Sequence, residues 1–133
     1  TIIADKNAMQ IVMNNLFDNA IKYSQSPVQI DIHISQNLKY VILSFRDYGI
    51  GLPPRKQKKV FQKFHRIHDK NSPNVKGTGL GLYWVREIIS YHRGRIMVSS
   101  TGPGQGTVFT IQLPVHPGVQ RRMLKKLKQM GKG

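Results

Sequence analysis

The chain has 133 residues, no cysteine, and 21 Lys+Arg against 6 Asp+Glu, a net charge of +15. That length suits one domain burying about two-thirds of its unfolded surface, and the lack of cysteine excludes disulfide scaffolds and thiolate metal sites. A hydrophobic content of 39% is ordinary for a globular protein. No apolar run approaches the roughly 18 residues of a membrane span, and no signal-peptide pattern opens the chain. Its first residue is Thr1, so we expect a segment cut from something longer, and the lack of cysteine agrees with a cytoplasmic setting.

Asp5 can cap a helix start, and no proline follows until Pro27, so a helix is expected over this stretch. On a 3.6-residue period, Met9, Met13, Leu16, Phe17 and Ala20 form an apolar face, while Gln10, Asn14 and Asp18 face solvent. A third stripe carries Asn15, Asn19 and Lys22, with Tyr23 at its edge. Asparagine is a poor interior helix residue because its amide competes for backbone hydrogen bonds, so two on one stripe call for a reason. A carboxamide oxygen suits a magnesium ion that keeps most of its waters and shares phosphates with a substrate. A lysine one turn later would meet those phosphates as a point charge. A surface helix with exposed asparagines accounts for this stretch equally well.

Residues 28–34 alternate apolar and polar as a half-buried strand does, and residues 40–45 read as a second strand, antiparallel across the turn at 36–39. Two glycines and two prolines within residues 47–54 exclude regular structure there. A short helical piece is expected over residues 56–64, a mobile polar segment over 65–76, and a helix from the glycines at 77–81 to about His92. Residues 95–100 and 107–113 make a final hairpin. Strands that come in consecutive pairs argue against a doubly wound parallel fold. They predict an α+β, two-layer sandwich, a mixed but mostly antiparallel sheet covered by helices on one face.

Three further stretches can carry chemistry. Asp47 enters the glycine loop as an acceptor-only carboxylate, able to receive the hydrogens of an exocyclic amine such as that of adenine. Gly49 and Gly51 would let backbone approach a flat ligand, though Asp-x-Gly-x-Gly alone is more often simply a turn. In Gly77-Thr78-Gly79-Leu80-Gly81-Leu82, alternate glycines before a helix expose backbone N–H donors and the positive end of the helix dipole, or else form a hinge. It is neither a Walker A loop nor a dinucleotide fingerprint. Around Phe61 and Phe64, Arg66 is positioned to reach a phosphate, or is a solvated charge beside a core-anchored turn. The five histidines show no metal-ligand spacing.

Taken in order, Asn15-x-x-x-Asn19-Ala-x-Lys22-Tyr23, Asp47-x-Gly49-x-Gly51, Phe61-x-x-Phe64-x-Arg66, Gly77-x-Gly79-x-Gly81 and Gly106-Thr107-x-Phe109 resemble the catalytic ATP-binding domain of sensor histidine kinases. That domain shares its Bergerat-type ATP-binding fold with DNA gyrase, Hsp90 and MutL. The resemblance implies that Asn19 binds the magnesium on ATP with Asn15 beside it, and that Lys22 and Arg66 contact phosphates. It implies that Tyr23 packs near the nucleotide and that Asp47 holds the adenine amino group, aided through water by Thr107. Gly77, Thr78, Gly79, Leu80, Gly81 and Leu82 would wrap the phosphates beneath a lid over residues 65–76. Where the ATPases of this group carry a water-activating glutamate, this chain has Asn15, so fast hydrolysis is not expected.

The cofactors implied are ATP and Mg2+. The implied partners are a dimerisation and histidine phosphoacceptor domain of the same parent kinase, and a response regulator downstream in a two-component system. The parent is expected to be a homodimer, on its own or as the cytoplasmic part of a membrane-bound sensor, and the isolated domain a monomer. No specific nucleic acid is expected. The resemblance covers residues 5–114, giving a catalytic domain over 1–115 and a basic tail over 116–133. Six basic residues follow Val119 and eight more lie between Arg55 and Lys76. The tail places Val119, Met123, Leu127 and Met130 on one helical side, and is expected to pack on the domain, to touch an acidic partner or membrane surface, or to be disordered. Two rivals follow: a degenerate kinase-like module that uses its charge to bind an acidic partner or nucleic acid, and a serine kinase of the anti-sigma type. The phenylalanine-rich box speaks against the latter.

Overall fold

The computed structural model describes residues 2, 4–24, 27–62 and 81–131. The elements run α1 (Lys6–Tyr23), β1 (Ile30–Gln36), β2 (Tyr40–Asp47), α2 (Pro54–Gln57), α3 (Gly81–Tyr91), β3 (Arg95–Ser99), β4 (Thr107–Pro114) and α4 (Pro117–Met130). The strands form one sheet in the order β1-β2-β4-β3. All three pairings are antiparallel, so the mixed component expected from sequence is absent among the described residues.

The Asp5 carboxylate accepts the Ala8 N–H (3.0 Å), satisfying an otherwise orphaned donor at the start of α1. Val12, Leu16 and Ala20 of α1 then bury against Val85 and Ile89 of α3 and against Phe45, Phe109, Ile111 and Leu113 of the sheet. This face is centred one residue away from the sequence expectation. Val12 is in the core, whereas Phe17 remains 36% exposed although its ring meets Phe45 edge-on at 5.1 Å. Gln10, Asn14 and Asp18 are exposed as expected.

β4 alternates buried and half-buried positions along its whole length, as a central strand with one covered face should. β1 has the same alternation in sequence but is almost entirely exposed. It is an edge strand, and α1 and α3 pack on each other over the other strands. Ile32 and Ile34 therefore share the inner face with Phe45 and Leu43 in register, yet stay 44% and 63% exposed.

The helix expected at 56–64 is only one turn long, starting at Pro54. Val60 and Phe61 beyond it still anchor in the core, with Phe61 edge-on to Phe109. The tail is helical: the His116 ring accepts the Gly118 N–H (3.0 Å) and Pro117 opens α4. Among the described residues no helix is long and apolar enough to cross a membrane.

Candidate functional site

The site lies where β2 ends and β4 begins, with Asp47 and Thr107 directly opposite each other in register. The Asp47 carboxylate accepts the Gly49 N–H at 2.9 Å and a second hydrogen bond from the Thr107 backbone. Both residues are nearly inaccessible, at 5% and 7% exposure. Burial pushes the Asp47 carboxyl above its ordinary 3.8, partly offset by the two backbone donors. An acid held this way at the floor of a concave site is a functional candidate rather than a surface charge.

The loop after Asp47 is fixed at both ends. Ile50 N–H donates to the carbonyl of Tyr23 (3.0 Å), binding it to the end of α1. Gly51, at φ 71°, passes against Gly102, where a Cβ would fall 2.2 Å from the carbonyl oxygen. Ser100 staples the far side: its hydroxyl accepts Leu52 N–H (3.1 Å) and donates to Gly106 O (2.6 Å). The Gln57 amide donates to Leu52 O and Ser100 O (3.0 and 2.9 Å).

One cleft results, lined by Asn19, Tyr23, Asp47, Ile50, Gly51, Leu52, Leu82, Thr107 and Phe109. Of the residues singled out by sequence, Asn19, Tyr23, Asp47, Gly51, Leu82 and Thr107 meet there. Gly49 lies behind it, packed on Tyr23. Asn15 reaches the start of α3, its Oδ1 only 2.7 Å from where a Cβ on Gly81 would be, while its amide donates to Ile11 O (2.8 Å). Lys22 is exposed in the last turn of α1 and does not line the cleft. Arg66, Gly77, Thr78, Gly79 and Leu80, and the segment at 65–76, lie outside the described residues.

Ile50, Leu52, Ser100 and Gln57 escaped the sequence reading. The apolar residues alternating with the loop glycines were a signal for Ile50 and Leu52. Nothing local marks Ser100, whose partners are 48 and 6 residues away.

Chemically the cleft joins a buried acceptor and apolar walls, which suit a planar base with an exocyclic amine, to a carboxamide and a helix N-terminus, which suit phosphates. Among the described residues no group of three or more His, Cys, Asp or Glu can hold a metal. A cation that arrives with phosphates and keeps most of its waters, as magnesium does, needs only one or two protein oxygens and no such group. Asn19 brings a neutral carboxamide oxygen to the cleft, whereas the Asp47 carboxylate is already engaged by two backbone donors.

Known proteins of related sequence share this fold. The chain is 38% identical over 112 residues to the sensor protein kinase WalK of Staphylococcus haemolyticus, and 39% identical over 112 residues to that of Staphylococcus saprophyticus. In both, the match takes in 83% of this chain but 18% of the relative, so the chain spans under a fifth of the length of these curated relatives. Among solved structures, the mycobacterial sensor histidine kinase MprB superposes with a TM-score of 0.74 at 29% identity, over 85% of this chain and 74% of that one. The catalytic domain of histidine kinase ThkA gives 0.72 at 30% identity, over 85% and 71%. The family model that matches residues 4–117 is described as histidine kinase-, DNA gyrase B- and HSP90-like ATPase, and it is to that family that this chain belongs.

Proposed function

We propose that the cleft binds ATP with magnesium and that the domain passes the γ-phosphoryl group to a histidine on a separate dimerisation and phosphoacceptor domain of the same parent. A response regulator would take the group onward. The observation that carries this reading is the convergence of Asn19, Asp47, Leu82 and Thr107, contributed by α1, β2, α3 and β4, on one cleft.

In this reading the Asp47 carboxylate accepts from the adenine amino group, with Thr107 beside it and Ile50, Leu52 and Phe109 as apolar walls. Asn19 supplies an oxygen to magnesium, which when bound neutralises phosphate charge. Asn15 supports the start of α3, whose positive end faces the phosphates. Arg66 and the glycine run from Gly77 to Gly81 would add contacts to the phosphate oxygens, and Lys22, exposed and outside the cleft lining, would reach them only by extending its side chain. In the transfer, a P–N bond to the acceptor imidazole forms as the P–O bond to the ADP leaving group breaks. Such a step depends mainly on alignment and charge stabilisation, which a site without its own base can supply. Asn15 cannot accept a proton from water at neutral pH, so the domain alone hydrolyses ATP slowly.

The test is to mix the chain with the phosphoacceptor domain of its parent and γ-labelled ATP, then examine the product. Label that is lost in acid and kept in base marks phosphohistidine and supports the reading. Acid-stable label on serine, or rapid release of inorganic phosphate with no labelled protein, contradicts it.

A further inference from the structure

The family match ends at residue 117, where α4 begins, so the nucleotide reading leaves this helix without a role. α4 carries Arg121, Arg122, Lys125, Lys126 and Lys128 and no acid over its 14 residues. At 100° per residue these cations occupy one side, and Met123, Leu124, Leu127 and Met130 the other. An apolar arc of this kind normally buries itself on its own domain. Here Met123 alone is half-buried, with its sulfur against the Gln36 amide (3.5 Å) at the end of β1. Leu124, Leu127 and Met130 remain 41%, 50% and 75% exposed, progressively more so away from the sheet.

The surroundings of α4 extend its charge. Val115, just before it, donates its N–H to the carbonyl of Lys39 (2.8 Å), bringing the β1–β2 turn alongside. Exposed Arg93 and Arg95 stand at the same end of the sheet, Arg95 paired with Gln112 near the end of β4. Asp5 and Glu87 are the nearby acids, set back in a groove with His92. This basic end is the opposite one from the cleft: β4 runs from Thr107 at the cleft to Pro114 here, a span of about 24 Å at strand rise.

We propose that α4, with Lys39, Arg93 and Arg95, is a docking surface for an anionic lipid bilayer. The helix lies in the interface plane with its open apolar arc among the acyl chains. Cations flank that arc on both edges, Arg122 and Lys126 on one and Arg121 and Lys128 on the other, where headgroup phosphates would meet them. A nucleic acid would use the charge but leave the leucines and methionines in water. A helix about 21 Å long with five cations lies on a membrane and does not span it. Docked in this way, the domain turns its nucleotide cleft away from the bilayer and leaves it open.

The test is sedimentation of the whole 133-residue chain with phosphatidylcholine vesicles, with and without phosphatidylglycerol. Binding is expected only to the anionic vesicles. Each cation near such a surface contributes about fivefold in partitioning (about 1 kcal/mol), so Lys126→Gln with Lys128→Gln, one on each edge of the arc, should weaken it about 25-fold. Leu127→Gln with Met130→Gln, which leaves every charge in place, should weaken it by roughly tenfold or more. Nucleotide binding by both variants, unchanged because α4 is remote from the cleft, verifies their fold. No binding to anionic vesicles, or binding that the apolar double variant retains, overturns the proposal. So does preferential capture by heparin or duplex DNA that the apolar variant leaves intact.

Discussion

The backbone of Gly49 touches the end of α1 so closely that a Cβ would lie 2.3 Å from the carbonyl oxygen of Tyr23. The same oxygen accepts the Ile50 N–H, so helix and loop are joined at the rim of the cleft by hydrogen bond and close packing together. The obstacle is backbone and cannot rotate away. Gly49→Ala should therefore cost about 3 kcal/mol of folding stability, typical of overpacking a fixed site. Denaturant unfolding measures it, and a loss below about 0.5 kcal/mol would show that the loop is not held against α1.

Gly81→Ala presents the opposite case. The obstacle there, at 2.7 Å, is the Asn15 carboxamide oxygen, a side-chain end that can turn if its amide gives up Ile11 O. Stability should fall by only about 1 kcal/mol, the usual worth of one hydrogen bond. Nucleotide affinity should fall more, because Asn15 and the start of α3 are displaced together. Equal loss of both would mean that this contact serves the fold alone.

Ser100→Ala removes a hydroxyl that holds Leu52 N–H and Gly106 O at once. With both groups part-buried, the expected cost is about 2 kcal/mol of stability. Leu52 lines the cleft, so a several-fold weaker nucleotide affinity should accompany it. Parallel unfolding and binding titrations check both effects.

The asparagine stripe on α1, the acid entering the glycine loop and the two hairpins were legible in sequence because each rests on local chemistry: helical spacing, turn residues, alternation. Alternation says which side chains share a face but not whether anything covers that face. Ile32 and Ile34 fall on the apolar side of a strand expected to be half-buried and lie open because α1 and α3 lean on each other and leave the edge strand bare. Phe17, expected on the apolar face, is left partly exposed and Val12, assigned to no stripe, is buried because the contact with α3 sets the roll of α1. Ser100 was invisible because its role exists only once β3, β4 and the Asp47 loop have assembled.

Asp47→Asn separates stability from binding. A carboxyl whose folded pKa is raised leaves stability intact below the unfolded value and costs stability as pH rises through the folded one. Without nucleotide, the Asn variant should be at least as stable as wild type at neutral pH, with the difference vanishing in strong acid. ATP affinity should nevertheless drop roughly 10- to 100-fold at neutral pH, as loss of a charged acceptor implies. Wild-type affinity should itself decline on acidification, starting above pH 3.8, when the acceptor gains a proton. Thermal melts and binding titrations across pH test the pair; a flat affinity profile would exclude Asp47 as the base-reading group.

The central claim is that Asn19 and Asp47 act on one bound nucleotide, and calorimetric titration of ATP with and without magnesium addresses it most directly. Wild type should bind ATP more tightly with magnesium. Asn19→Ala should lose that magnesium-dependent gain, and Asp47→Ala should bind weakly under both conditions. If both variants bind ATP as wild type does, with the same magnesium dependence, the cleft is not where the nucleotide sits.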